Sequence, residues 1–189
     1  MIDDIRRLRD HCDILVIGLH KGRVHTPITL DMYEQSLCYT AIDAGADLIL
    51  GSHTHIMKGI EIYKDKAIFH GLGNFITVTT ALAVATNWNM AQWIERRKKM
   101  FGFELDPEYP TYAFHPEGKQ QIIAKFIIED KKISEVRYIP CMVNKKGQPE
   151  VLRHDERGAQ IFQYVEKITR DAGLNEKFQW DGDEVRVTG

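Results

Sequence analysis

The stretch from Asp13 to His55 constrains the fold more than any other part of the chain. Asp13-Ile-Leu-Val-Ile-Gly-Leu-His20 is a continuous apolar run, which suits a strand of a parallel sheet covered on both faces. Lys21 to Thr29 carries Gly22 and Pro27 and reads as a loop. Asp31 then offers an N-cap with Glu34 three residues on, a capping-box spacing, and Gly45 is placed to stop the helix. Asp47-Leu-Ile-Leu-Gly51 is a second short buried strand. Strand, helix, strand predicts a βαβ unit, with its connection crossing over right-handedly. Both strands run into histidines: His20 ends the first, and Ser52-His53-Thr54-His55 follows the second.

Ligand sites in open α/β sheets gather beyond the carboxyl ends of the strands, so three imidazoles fall where a site is expected. An H-x-H pair in extended backbone directs both side chains to one side, where they can meet a metal ion. Spacing alone leaves two readings open: metal ligands, or loop histidines making hydrogen bonds. Asn74, in Gly73-Asn74-Phe75, either orients a ligand or simply tolerates a tight turn. Lys21, Arg23 and His25 offer positive or polar groups to an anionic substrate, against the reading of solvated loop residues. His70, near the same edge in sequence, reads as a surface or core histidine, and His115 carries no mechanism from its surroundings.

Elsewhere, Asp4 to Cys12 predicts a short charged helix, and Ile60 to Tyr63 with Ala67 to His70 a hairpin. Thr79 to Met100 reads as helix, 101–118 as an irregular aromatic and proline-bearing loop, and Gln120 to Glu129 with Lys132 to Pro140 as two strands. Asp155 to Ala172 places Ile161, Phe162, Val165 and Ile168 on one helical stripe, and a closing hairpin turns at Asp181-Gly182-Asp183. The expected organisation is therefore 1–78, an insertion over 79–118, and 119–189 completing the same domain.

Composition removes other classes. Net charge is −2, with 25 Lys+Arg against 27 Asp+Glu, so no global field points to nucleic acid or an anionic membrane. No segment approaches a membrane span, and the N-terminus has no signal-peptide core. Cys12, Cys38 and Cys141 read as small buried hydrophobes in a reducing compartment.

The segments around these histidines carry a family resemblance. Asp13 to Gly22, Ala41-Ile-Asp-Ala-Gly-Ala-Asp-Leu-Ile-Leu-Gly-Ser-His-Thr-His55, Gly59-Ile-Glu-Ile-Tyr63 and Ile68-Phe-His-Gly-Leu-Gly-Asn-Phe75 resemble, in order and spacing, the bacterial capsule synthesis protein CapA family associated with poly-γ-glutamate. The resemblance covers roughly residues 1 to 78. It implies an α/β (α+β) sandwich of the calcineurin-like metallophosphoesterase type, flanked by helices. It also implies a divalent ion (Mn, Zn or Fe) on His20, His53 and His55, and metal-assisted hydrolysis of a phosphoester or related bond. Lys21 stands where Trp is commoner, and Ser52 where many members have another His. The family's upstream D-x-H and G-N-H segments are not in this sequence. The expectation is thus a C-terminal portion of a larger protein, completed by a missing half or a second copy. A non-catalytic component binding a capsule polymer is the alternative. The compartment is open, since relatives often act outside the cytoplasmic membrane.

Overall fold

A computed structural model describes residues 1–77, 90–174 and 176–189. The chain runs α1 (Ile2–Arg9), β1 (Val16–His20), α2 (Met32–Asp43), β2 (Leu48–Ser52), β3 (Ile60–Tyr63), β4 (Lys66–Phe69) and α3 (Met90–Phe101). A 3-10 turn (Pro116–Lys119) then leads to β5 (Gln120–Glu129), β6 (Lys132–Val143), β7 (Pro149–Val151), α4 (Glu156–Asp171), β8 (Lys177–Asp181) and β9 (Glu184–Thr188). Two sheets result, so the class is α+β. The first has the order β1-β2-β4-β3, with β1, β2 and β4 parallel and β3 antiparallel to β4. The second is antiparallel, order β5-β6-β9-β8, with β7 paired to β6.

Alternation of side chains across the pleat divides the first sheet's apolar residues between two cores. Ile49 and Ile68 face the helices, packing with Ile5 of α1 and Cys38, Ala41 and Ile42 of α2. Leu48 and Phe69 face the other way, joining Ile122, Tyr138 and Val185 of the second sheet and the Ile161–Val165–Ile168 stripe of α4. The expected helix stripe therefore fills the core between the sheets. Asp155 caps α4 by accepting the Gly158 N–H (3.0 Å). At the start of β2, Asp47 accepts from the Leu15 N–H (2.9 Å) and pairs with Arg9 and Lys66. This pins the strand starts, the end of the sheet away from His20.

Two expectations are corrected. The first strand is not covered on both faces: it is an edge strand, and Val16, Gly18 and His20 are exposed, Val16 to 45%. Its other face, through Ile17 and Leu19, packs against the helix-side core. Cys12 is exposed, whereas Cys38 and Cys141 are buried. The helix expected from Thr79 is present over Met90–Phe101, and its beginning falls outside the described residues.

Candidate functional site

Register brings the histidines together. His20, the last residue of β1, lies opposite Ser52, the last of β2. The chain then turns, and the His20 Nε2 and His53 Nδ1 come to 2.9 Å. Ser52 Oγ lies 3.2 Å from the other His20 nitrogen. If Ser52 accepts from His20 Nδ1–H and His53 Nδ1–H donates to His20, the lone pair of His53 Nε2 is left free. Asn74 Oδ1 accepts from His55 Nδ1–H at 2.9 Å, which likewise leaves the His55 Nε2 lone pair. An amide or carboxylate holding one ring nitrogen so that the other can ligate is the usual outer-shell arrangement around metal-binding histidines.

The backbone between them is not extended, which corrects the H-x-H reading. His53 and His55 have φ of 87° and 54°, and His25 has 58°. These are left-handed conformations, uncommon for residues with a Cβ and costing on the order of 1–3 kcal/mol each. The turn is held by Thr54, whose Oγ1 donates to the Ile56 carbonyl (2.6 Å) and whose carbonyl accepts the His25 N–H (2.8 Å). The two rings of the H-x-H pair end up 6.2 Å apart and tilted by 46°.

Beyond His55 the row continues. His25 lies 5.9 Å from His55, and His115 lies 6.5 Å from His25, with interplanar angles of 29° and 23°. Phe101 and Phe103 set their edges against His25 at 4.8 and 4.9 Å, and Phe114 covers His55 at 4.9 Å. His115 was invisible as a site residue because its neighbours form no motif, and only the packing of the second half of the chain on the first places it here. Tyr112 is buried, edge-on to Phe114 at 5.5 Å.

Lys21 does not face the site. It is buried, and its ammonium donates to Glu34 (2.8 Å). Lys58, also buried, reaches the other Glu34 oxygen (3.3 Å). Burial alone raises the Glu34 carboxyl pKa, but the Lys21 hydrogen bond, the Asp31 N–H and the two ammonium charges outweigh it and hold the pKa below its ordinary value. Burial pulls Lys58 down despite Glu34. From Lys21 the network continues to His70 Nδ1 (3.4 Å), and His70 Nε2 to Glu61 (2.7 Å). Burial lowers the His70 pKa, so a neutral ring accepts from Lys21 and donates to Glu61. Glu61 also accepts from Tyr39 and Gln35. Arg23 is exposed and paired with Asp31 (2.9 Å), outside the histidine row.

The histidines fit a metal ion in part. Two imidazole nitrogens on one tetrahedral ion at about 2.1 Å each lie roughly 3.4 Å apart, so an ion between His20 Nε2 and His53 Nδ1 would replace their hydrogen bond, open the pair slightly and leave the His53 proton on Nε2. Among the described residues, however, no three His, Cys, Asp or Glu side chains converge on a point that suits an ion.

Residues 1–79 match the family of bacterial capsule synthesis proteins PGA_cap. That segment contains the whole first sheet, His20, His53, His55 and Asn74. The PGA biosynthesis protein CapA of Bacillus subtilis is 39% identical over 72 residues, 38% of this chain and 19% of that protein. The capsule biosynthesis protein CapA of Bacillus anthracis is 34% identical over 68 residues, 36% of this chain and 16% of that protein. A Sinorhizobium fredii protein, y4sH, is 27% identical over 154 residues, 74% of this chain and 33% of its own length. The chain thus spans a third or less of these relatives. The PGA_cap segment supplies the strand-end histidines; Phe103, Phe114 and His115 lie outside it. Among the described residues no helix is long and apolar enough to cross a membrane.

Proposed function

We propose that this chain carries the strand-end histidine part of a metal-dependent hydrolase of capsule biosynthesis, acting on a phosphoester or related bond of an anionic substrate. The observation that carries the reading is the His20–His53 nitrogen pair at 2.9 Å beyond the ends of two parallel strands. His20 and His53 are ligands to a divalent ion (Mn, Zn or Fe). His55, oriented by Asn74, is the third, and the remaining ligands come from outside the described residues. Such an ion supplies Lewis-acid polarisation of a phosphoryl oxygen. The protein's part is to hold the imidazoles in one tautomer and to keep the strand ends rigid through the buried Lys21–Glu34–Lys58 cluster. The capsule relatives support the biological setting, and one of them is by its name a PGA biosynthesis protein.

The test is metal stoichiometry. Titration with manganese and zinc, followed by elemental analysis after gel filtration, is expected to show bound ion in the chain and its loss in His20→Ala and His53→Ala. Unchanged stoichiometry in both variants would sink the ligand assignment. A second reading, a polymer-binding component without catalysis, is favoured by one observation: no three metal-binding side chains converge among the described residues. Hydrolysis of p-nitrophenyl phosphate by the metal-loaded chain would decide against it.

A further inference from the structure

For His55 to ligate through Nε2, Asn74 must turn its amide oxygen, not its N–H, toward the ring. The two ends of an asparagine amide have nearly the same shape, so something beyond His55 has to choose between them. With Nδ2 turned inward, Asn74 would donate to His55 Nδ1, and the ring proton on Nε2 would close that nitrogen to an ion. A circuit of contacts leads from Asn74 into the second sheet and back. Gly73 lies against the side-chain amide of Gln121, in β5: a Cβ at Gly73 would stand 2.8 Å from Gln121 Nε2 and 3.1 Å from Oε1. Gln121 Nε2 donates to the Gly118 carbonyl. Gly118 in turn lies against His55, whose carbonyl would be 3.1 Å from a Cβ there. Gln121 is fully buried, and its orientation is set, because only the N–H end of an amide can meet a carbonyl. Its Oε1 is thereby left as an acceptor. That atom and Asn74 Nδ2, a donor, are both buried, and among the described residues neither makes a hydrogen bond.

A buried donor and a buried acceptor on touching stretches of chain each carry an uncompensated desolvation cost that pairing them removes. We propose that Gln121 is a positioning residue of the histidine site: its Oε1 takes the Asn74 Nδ2–H, which turns Asn74 Oδ1 to His55 and holds His55 as the Nδ1–H tautomer. The Gly118 carbonyl fixes the amide of Gln121, Gln121 fixes that of Asn74, and Asn74 fixes the proton of His55. The inference rests on the reading of His55 as a ligand and deepens it. It also makes the second sheet a part of the site, since Gly118 and Gln121 lie beyond residues 1–79, where the capsule-family match ends.

The experiment reads the His55 tautomer by long-range proton–nitrogen NMR on the metal-free chain, at a pH where the rings are neutral. The unaltered chain is expected to carry the His55 proton on Nδ1. Gln121→Met keeps the length of the side chain and removes its amide; the His55 proton should then shift to Nε2 in the majority of molecules. Adding Asn74→Asp to that variant should return it to Nδ1, because an ionised carboxylate can only accept. A merely structural role for Gln121 predicts no such rescue, since the double variant still lacks its amide. Urea midpoints establish that each variant is folded. The unaltered chain supplies a test that needs no variant: a nuclear Overhauser contact between the Asn74 side-chain amide protons and the Gln121 γ-methylene is expected, and its absence overturns the proposal. So does a His55 proton that stays on Nδ1 in Gln121→Met, or a double variant that is not rescued. The His20→Ala and His53→Ala metal titrations report separately on the ion, so failure of one reading is distinguishable from failure of the other.

Discussion

Glu34→Gln is the most informative stability perturbation. The carboxylate is fully buried, receives Lys21 at 2.8 Å, Lys58 at 3.3 Å and the Asp31 N–H at 2.9 Å, and sits where Gly22 leaves room for it: a Cβ there would lie 2.6 Å from its oxygen. Glutamine has nearly the same shape and still completes a capping box. It offers only one acceptor oxygen, so one ammonium group faces an amide N–H and neither is neutralised. Breaking a buried pair in this way costs about 3–5 kcal/mol. The lower end is expected here, because Lys58, already pulled down by burial, can give up its proton. About 3 kcal/mol corresponds to a drop of roughly 6–12 °C in melting temperature for a chain of this size. The assay is thermal and urea unfolding followed by circular dichroism from pH 3 to pH 8. Because the folded Glu34 pKa lies below its ordinary value, its contribution is complete above about pH 4.5 and is lost as pH falls through the folded value. The gap between the unaltered chain and Glu34→Gln should therefore be constant between pH 5 and pH 8 and close at more acid pH. A loss under about 1 kcal/mol at pH 7, or a gap that does not narrow as pH falls below about 4.5, would refute the reasoning.

Two further outcomes follow from packing. Gly51→Ala should abolish stable folding, since its Cβ would stand 2.2 Å from the His70 carbonyl, while Gly18→Ala in the neighbouring strand meets nothing within 4 Å and should change stability by less than about 0.5 kcal/mol; both are read by urea midpoint. Iodoacetamide should label Cys12 in the native chain and spare Cys38 and Cys141, whose thiols burial pushes up to about 11, with all three labelled in urea by mass spectrometry.

Most of the fold is legible in the sequence because its signals are local. Asp31 and Glu34 mark the start of α2, Gly45 its end, and the period of Ile161, Val165 and Ile168 marks the buried face of α4. What could not be read was contextual. An apolar run from Ile14 to Leu19 says that a strand is stable when covered, and does not say that β1 lies at the sheet edge with Val16 open. Lys21 reads as a loop cation until Glu34 is seen folded back beneath it, and Glu34 reads only as a cap until Lys58 arrives from a loop 24 residues later. The histidines at 20, 53 and 55 were found by their place after strands, a rule that depends on topology alone. The left-handed backbone at His53 and His55 has no such signature, because neither is glycine.

The histidine row also joins contacts of very different separation along the chain. His20 meets His53 across 33 residues, within one strand–helix–strand unit, whereas His25 meets His115 across 90. Closing the longer loop costs about 0.9 kcal/mol more in chain entropy, and it must also wait for β5 and the second sheet to dock. During folding, the His20–His53 pair is therefore expected to assemble first, as part of the first sheet, while Phe103, Phe114 and His115 arrive only with the final docking. In hydrogen exchange, Lys21, Ser52 and Thr54 should belong to an earlier-protected group than Glu117 and Gly118. The order of assembly thus separates the strand-end histidines from the aromatic residues packed beside them.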